Sequence, residues 1–198
     1  MTEQVLQFFI FAATAALLQN VVLSSGIGAS TVLFSAKGAK HIFAFGSMVT
    51  FMALAASMSA FGINLFIANW SYRIFVRPIL FILCIVILYY IVYFTAFRFM
   101  KSAGEYVCAY LPYAAFNCVV LGIIYIALNG KYSLIETAGF ALGSGAGFII
   151  ASLLIAEGRR RLETVVIPKA FRGLPVTLLY IGLLSLALYG LIGHQLPF

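Results

Sequence analysis

The chain has 198 residues, of which 64% are hydrophobic and only 9% charged, and its mean hydropathy is +1.11. A soluble globular domain carries about 25% charged residues to keep its surface wet, so this composition excludes a water-soluble enzyme and makes lipid the solvent. The net charge of +7 calls for no nucleic acid: its placement reads as a membrane-topology signal, helped by contact with anionic membrane lipid.

Charged residues fall in bunches, and the stretches between them are at least 20 residues long, which is about what a helix needs to cross the hydrocarbon core. Six spans follow, near Gln4–Ser24, Ile42–Ile67, Phe75–Phe97, Tyr106–Leu128, Leu134–Ala156 and Pro175–Ile192. The start, Met1-Thr2-Glu3-Gln4, lacks the basic region of a cleaved signal peptide. The loops after odd-numbered spans carry Lys37, Lys40, Arg98, Lys101, Arg159, Arg160, Arg161, Lys169 and Arg172, against Arg73, Arg77 and Lys131 on the other side. This bias puts the odd loops in the cytoplasm and both termini outside. The expected fold is therefore an all-α, six-span, multi-pass protein of a cytoplasmic (inner) membrane, forming one domain over residues 1–198.

Two spans are interrupted. The first contains Ser24-Ser25-Gly26-Ile27-Gly28-Ala29-Ser30-Thr31, whose serines and glycines weaken a helix; the fourth contains Leu111-Pro112 and then Asn117-Cys118, with a kink or break expected near the proline. The interruptions occupy corresponding places in the two halves, about residues 1–100 and 101–198. Asn20-Val21-Val22-Leu23 also parallels Asn117-Cys118-Val119-Val120-Leu121-Gly122. Three spans per half make the second half an inverted repeat. Paired discontinuous helices in such a repeat point to a functional site, since non-helical backbone at membrane depth must be buried in protein or line a cavity. The competing reading is two kinked helices and a chance apolar match.

In the fifth span Gly139, Gly143 and Gly147 recur every four residues and let another helix approach closely; packing within the subunit is favoured over a dimer interface. The three cysteines, Cys84, Cys108 and Cys118, fall within spans, where thiols act mostly as small hydrophobes. His41, His194 and all five glutamates sit near span ends. No phosphate-binding or dinucleotide glycine loop is present, and no carboxylate lies at mid-span as a carboxylate-based ion relay requires.

The segments Leu111-Pro112 … Asn117-Cys118-Val119-Val120-Leu121-Gly122, Gly143-Ser144-Gly145-Ala146-Gly147-Phe148 and Arg160-Arg161-Leu162 … Ile167-Pro168-Lys169-Ala170-Phe171-Arg172-Gly173 resemble, in order, motifs of the Rnf/Nqr integral membrane subunits. The similarity runs nearly end to end and is closest to the RnfA/NqrE branch, which serves the Rnf complex and the sodium-pumping quinone reductase. It implies a membrane subunit of an ion-translocating oxidoreductase, not catalytic alone, that helps carry electrons across the bilayer coupled to sodium or proton transport. It also implies pairing with a homologous six-helix subunit of opposite orientation and assembly with other Rnf-type redox subunits bearing flavins. It implies, finally, a binuclear iron–sulfur cluster between the pair, held by cysteines from the broken helices.

On this resemblance Cys118 takes one cysteine's place as metal ligand, with Asn117 and Pro112 shaping the break and Asn20, Ser24, Ser25 and Ser30 forming the opposite half-helix. The other cysteine's place holds serine: Ser30 by an ungapped count from Asn20, Ser24 or Ser25 by a gapped one. A hydroxyl stays protonated and is a hard, poor substitute for thiolate. The alternative is a divergent paralogue without a redox centre, serving as a transporter-like or structural membrane component.

Overall fold

The computed structural model describes residues 2–35, 38–70, 72–99, 103–164 and 168–192; Lys37, Lys101, Ile167 and His194 lie outside them. All regular structure among the described residues is helical. The elements are α1 (Thr2–Ala13), a π-turn (Thr14–Leu18), α2 (Ala29–Ser35), α3 (Ala39–Phe66), α4 (Arg73–Phe99), α5 (Ala103–Ala115), α6 (Cys118–Asn129), α7 (Leu134–Glu163), a 3-10 turn (Lys169–Phe171) and α8 (Leu174–Ile192).

Among the described residues α3, α4 and α7 are long and apolar enough to cross a membrane singly, and α5 with α6, bent by 50° at the break, passes the same test as a pair, which gives three to four candidate spans. The apolar helices Glu3–Leu18 and Leu174–Gly190 are shorter. The chain is thus a multi-pass helical membrane protein.

One boundary differs from the sequence expectation, and the break expected in the fourth span is present just beyond the proline. The first helix stops at Leu18 rather than running to Ser24. Its last turn widens to π geometry, Gln19 N–H closes it on Thr14 O, and Asn20 then takes over the backbone groups beyond. In the fourth span Pro112 lies inside α5, and the chain breaks after Ala115. Phe116 N–H still bonds Pro112 O at 3.0 Å, so the helix continues through the proline. What ends it is Asn117, whose extended backbone starts a new helix.

In lipid, apolar side chains gain nothing by leaving one helix for another, so close backbone approach and hydrogen bonds hold helices together. The α7 glycines serve this purpose within the subunit. A Cβ at Gly139 would lie 2.6 Å from Phe8 O and one at Gly147 2.9 Å from Ala16 O, while one at Gly143 would collide with the Ala12 backbone. The residue numbers rise together, so α1 and α7 run parallel with backbone against backbone. On the other side of α7, Gly145 meets Thr50 and Gly46 meets Ile149, which sets α3 antiparallel to it. The start of α3 bonds the start of α5 through His41 Nδ1 and Tyr106 Oη at 3.1 Å, and the end of α3 shares a cavity with the end of α6. The bent α5–α6 span therefore runs parallel to α3. The core formed between these helices contains Val22, Val49, Met52, Phe81, Ile123 and Phe148. α4 and α8 turn leucine, isoleucine and aromatic side chains outward.

Candidate functional site: two helix breaks in contact

Each break is organised by an asparagine. Asn20 is buried, and every polar atom of its side chain is engaged. Its Oδ1 accepts from the Val22 and Leu23 N–H groups at 3.1 and 3.2 Å, and its Nδ2 donates to Ala16 O at 3.1 Å and Gly147 O at 2.9 Å. The amide thus replaces the helical ladder where the helix stops and ties the break to α7. Beyond it, Ser24 N–H and Oγ both donate to Asn20 O at 2.7 Å, and Ile27 N–H closes a wider turn on Val21 O at 3.1 Å. Gly26 and Gly28 have φ of 67° and 84°, left-handed conformations that suit glycine.

Asn117 repeats part of this arrangement in the second half. It is the N-cap of α6, with Oδ1 accepting from Val119 N–H at 3.1 Å, two residues on, as Asn20 accepts from Val22. The same oxygen accepts from Thr31 Oγ1 of α2 at 3.3 Å. Its Nδ2 is buried without a hydrogen-bond partner.

The two breaks lie against each other. Thr31 bonds Asn117, a Cβ at Gly28 would collide with Val119 Cγ2, and one at Gly122 would come within 3.2 Å of Ile27. The turn through Ile27 and Gly28 therefore rests on the first turns of α6. A third element joins at α8, where Ser185 Oγ donates to Leu23 O. A cavity of about 340 Å³ lies there between Leu17, Asn20, Leu23, Ser24, Ser185 and Tyr189.

Among the sequence-predicted residues, Asn20 and Asn117 are buried organisers, Pro112 is half-buried inside α5, and Ser24, Ser25, Ser30 and Cys118 are exposed. Ser24 and Ser25 face each other with Oγ atoms 3.5 Å apart. Of the other thiols, Cys84 is buried in α4 and Cys108 half-buried in α5. Sequence reasoning placed Gly28 and Thr31 in the interrupted run without giving either a role of its own, and it did not mark Ser185. The signal for Gly28 was present, as a glycine between two β-branched or small residues in an interrupted span; Thr31 and Ser185 carry no distinctive local signal.

This geometry coincides with a family relation. The Rnf-Nqr family, described as "Rnf-Nqr subunit, membrane protein", matches residues 8–194. The chain belongs to this family. It is 33% identical over 183 residues to the A component of the Na(+)-translocating ferredoxin:NAD(+) oxidoreductase complex of Acetobacterium woodii, covering 92% of this chain and 95% of the relative. It is 32% identical to the A component of the ion-translocating oxidoreductase complex of Serratia proteamaculans over 98% of both chains. The corresponding protein of Glaesserella parasuis is 27% identical over 94% of this chain and 97% of its own length.

The donor set at the breaks tests the cluster that the Rnf/Nqr resemblance implies. Soft iron–sulfur centres are held by thiolates, and the breaks offer one, Cys118, alongside the hydroxyls of Ser24, Ser25, Ser30 and Thr31. Those residues do not fit a contribution of two thiolates from this chain.

Proposed function

We propose that this chain is the A-type membrane component of an Rnf-type ion-translocating oxidoreductase complex, in the inner membrane, with both termini outside. The observation that carries this reading is the family relation across residues 8–194 together with two asparagine-capped breaks in contact. Six spans in two inverted halves account for the parallel pairings, because the broken helix of each half then packs along the middle helix of the other: α1 on α7 and α5–α6 on α3. The same symmetry relates Asn20 to Asn117.

Redox chemistry and soluble donors belong to partner subunits in this reading, and the chain supplies a scaffold and a docking face. Tyr113, Phe116 and Cys118 are exposed beside the second break, and a homologous subunit of opposite orientation covers them. Cys118 is the one cysteine this chain brings to that face. The shortage of thiolate favours a second reading, a paralogue that kept the scaffold without a shared cluster. The function is tested in membrane vesicles from cells lacking the chain. Loss of redox-driven ion uptake, restored by the intact gene, supports it; unchanged uptake refutes it. Iron and acid-labile sulfide in the purified complex, with Cys118→Ala as comparison, separate the two readings.

A further inference from the structure

The bias of Lys and Arg toward one side leaves only Arg73, Arg77 and Lys131 for the other. All three line one cavity of about 510 Å³, between the end of α3, the start of α4 and the loop after α6. Its remaining lining includes Asn64, Asn129 and Tyr132, and no acidic residue among the described ones. Arg73 Nη1 is steadied by Ala68 O at 3.1 Å. Arg77, one turn deeper on the same helix face, has a buried Nε–H without a hydrogen-bond partner, and Asn64 has a buried Oδ1 in the same condition. A buried donor left unmade is costly, so both atoms point to a ligand that brings an acceptor and a donor together.

Lys131 adds a second, independent sign. It has φ 53°, the one non-glycine residue with positive φ among those described, although Gly130 stands next to it with an ordinary φ of −71°. Lys131 N–H and Tyr132 N–H close this turn on Leu128 O and Ala127 O at 3.2 and 3.1 Å. A left-handed non-glycine residue is strained, and here it places a cation in the cavity. Burial, and Glu136 nearby, push the Tyr132 hydroxyl up, so it remains a protonated donor. Glu136 itself is engaged in the α7 cap, accepting from Ser133 N–H at 2.8 Å.

We propose that this cavity binds the phosphodiester headgroup of an anionic phospholipid of the phosphatidylglycerol class. The phosphate meets Arg73, Arg77 and Lys131, and a headgroup hydroxyl donates to Asn64 Oδ1. The surroundings favour a lipid over a soluble oxyanion. Trp70 and Tyr72 are exposed beside the cavity, as aromatic residues are at the membrane–water interface, and Phe66, Ile74 and Phe75 present apolar surface on which acyl chains lie. The proposal does not depend on the electron-transfer reading.

The test uses the full chain in phosphatidylcholine nanodiscs, titrated with phosphatidylglycerol and followed by native mass spectrometry and thermal unfolding. Each cation near a membrane surface contributes about fivefold to anionic-lipid binding. Lys131→Gly relieves the left-handed strain, so it folds at least as well as the parent, and it should bind phosphatidylglycerol about fivefold more weakly. The combined R73Q/R77Q/K131Q variant should lose about 100-fold, and R159Q/R160Q on the opposite face should bind as the parent does. Equal losses from both sets would overturn the proposal by making the effect general charge attraction. Stabilisation by inorganic phosphate alone, matching that by phosphatidylglycerol, would overturn it in favour of a soluble oxyanion.

Discussion

Replacing Asn20 and Asn117 separately by alanine tests whether the two breaks are held by their asparagines. Asn20→Ala removes four hydrogen bonds, two received by Oδ1 and two given by Nδ2, in a side chain that is 3% exposed. At about 0.6 kcal/mol per bond, the average within membrane proteins, the loss is about 2.4 kcal/mol; at about 1 kcal/mol, the value in soluble proteins, it is about 4 kcal/mol. Asn117→Ala removes only the bonds from Val119 N–H and Thr31 Oγ1, and it also removes a buried amide that has no partner. Its cost should therefore be about half as large or less, near 1 kcal/mol. Reversible unfolding of the single chain in mixed micelles, titrated with a denaturing detergent and read by circular dichroism, measures both. The ordering matters more than either value. Should Asn117→Ala prove as damaging as Asn20→Ala, or Asn20→Ala fall within about 0.5 kcal/mol of the parent, the account of the breaks would be wrong.

Three further outcomes follow from the packing. Gly28→Ala combines a left-handed backbone with a collision against Val119, for about 2–4 kcal/mol, while Gly26→Ala, left-handed in open space, should cost only about 1 kcal/mol; the same detergent titration gives the difference. Gly143→Ala drives a methyl into the Ala12 backbone and should lower stability by about 1–3 kcal/mol, whereas Gly182→Ala on α8, with nothing within 4 Å, should be neutral or slightly stabilising in a thermal melt. Ser133→Ala breaks the box in which Ser133 and Glu136 cap α7. It should cost about 1 kcal/mol and raise hydrogen exchange at the first turn of α7 while leaving the α7 C-terminus unchanged.

Much of the architecture was legible because lipid leaves few solutions. Charge-free runs of about 20 residues located the long helices, and α3, α4 and α7 fall where those runs lie. Interruption was legible too, but its mechanism was not. Pro112 was the obvious breaker, yet α5 passes through it, because a proline forfeits only its own N–H and crowds the turn before it. The break needs a side chain that captures N–H groups of the next segment, and Asn117 does so. The asparagine carried the information that the proline suggested.

What stayed hidden was pairing. The spacing of Gly139, Gly143 and Gly147 announced a close neighbour without naming it. The complementary register lay in the first span, where Phe8, Ala12 and Ala16 repeat at the same interval and meet the glycines one by one. Two matching four-residue periods specify a parallel contact only when both helices run the same way, as the residue pairs rising together along α1 and α7 show that they do. The convergence of Arg73, Arg77 and Lys131 obeys the same logic. Once packing puts the start of α4 beside the loop after α6, three cations 58 residues apart in sequence at most become neighbours. Whether they surround a cavity or repel one another into water depends on how α3 and α6 end beside each other. That is a property of packing, which no local pattern of residues encodes.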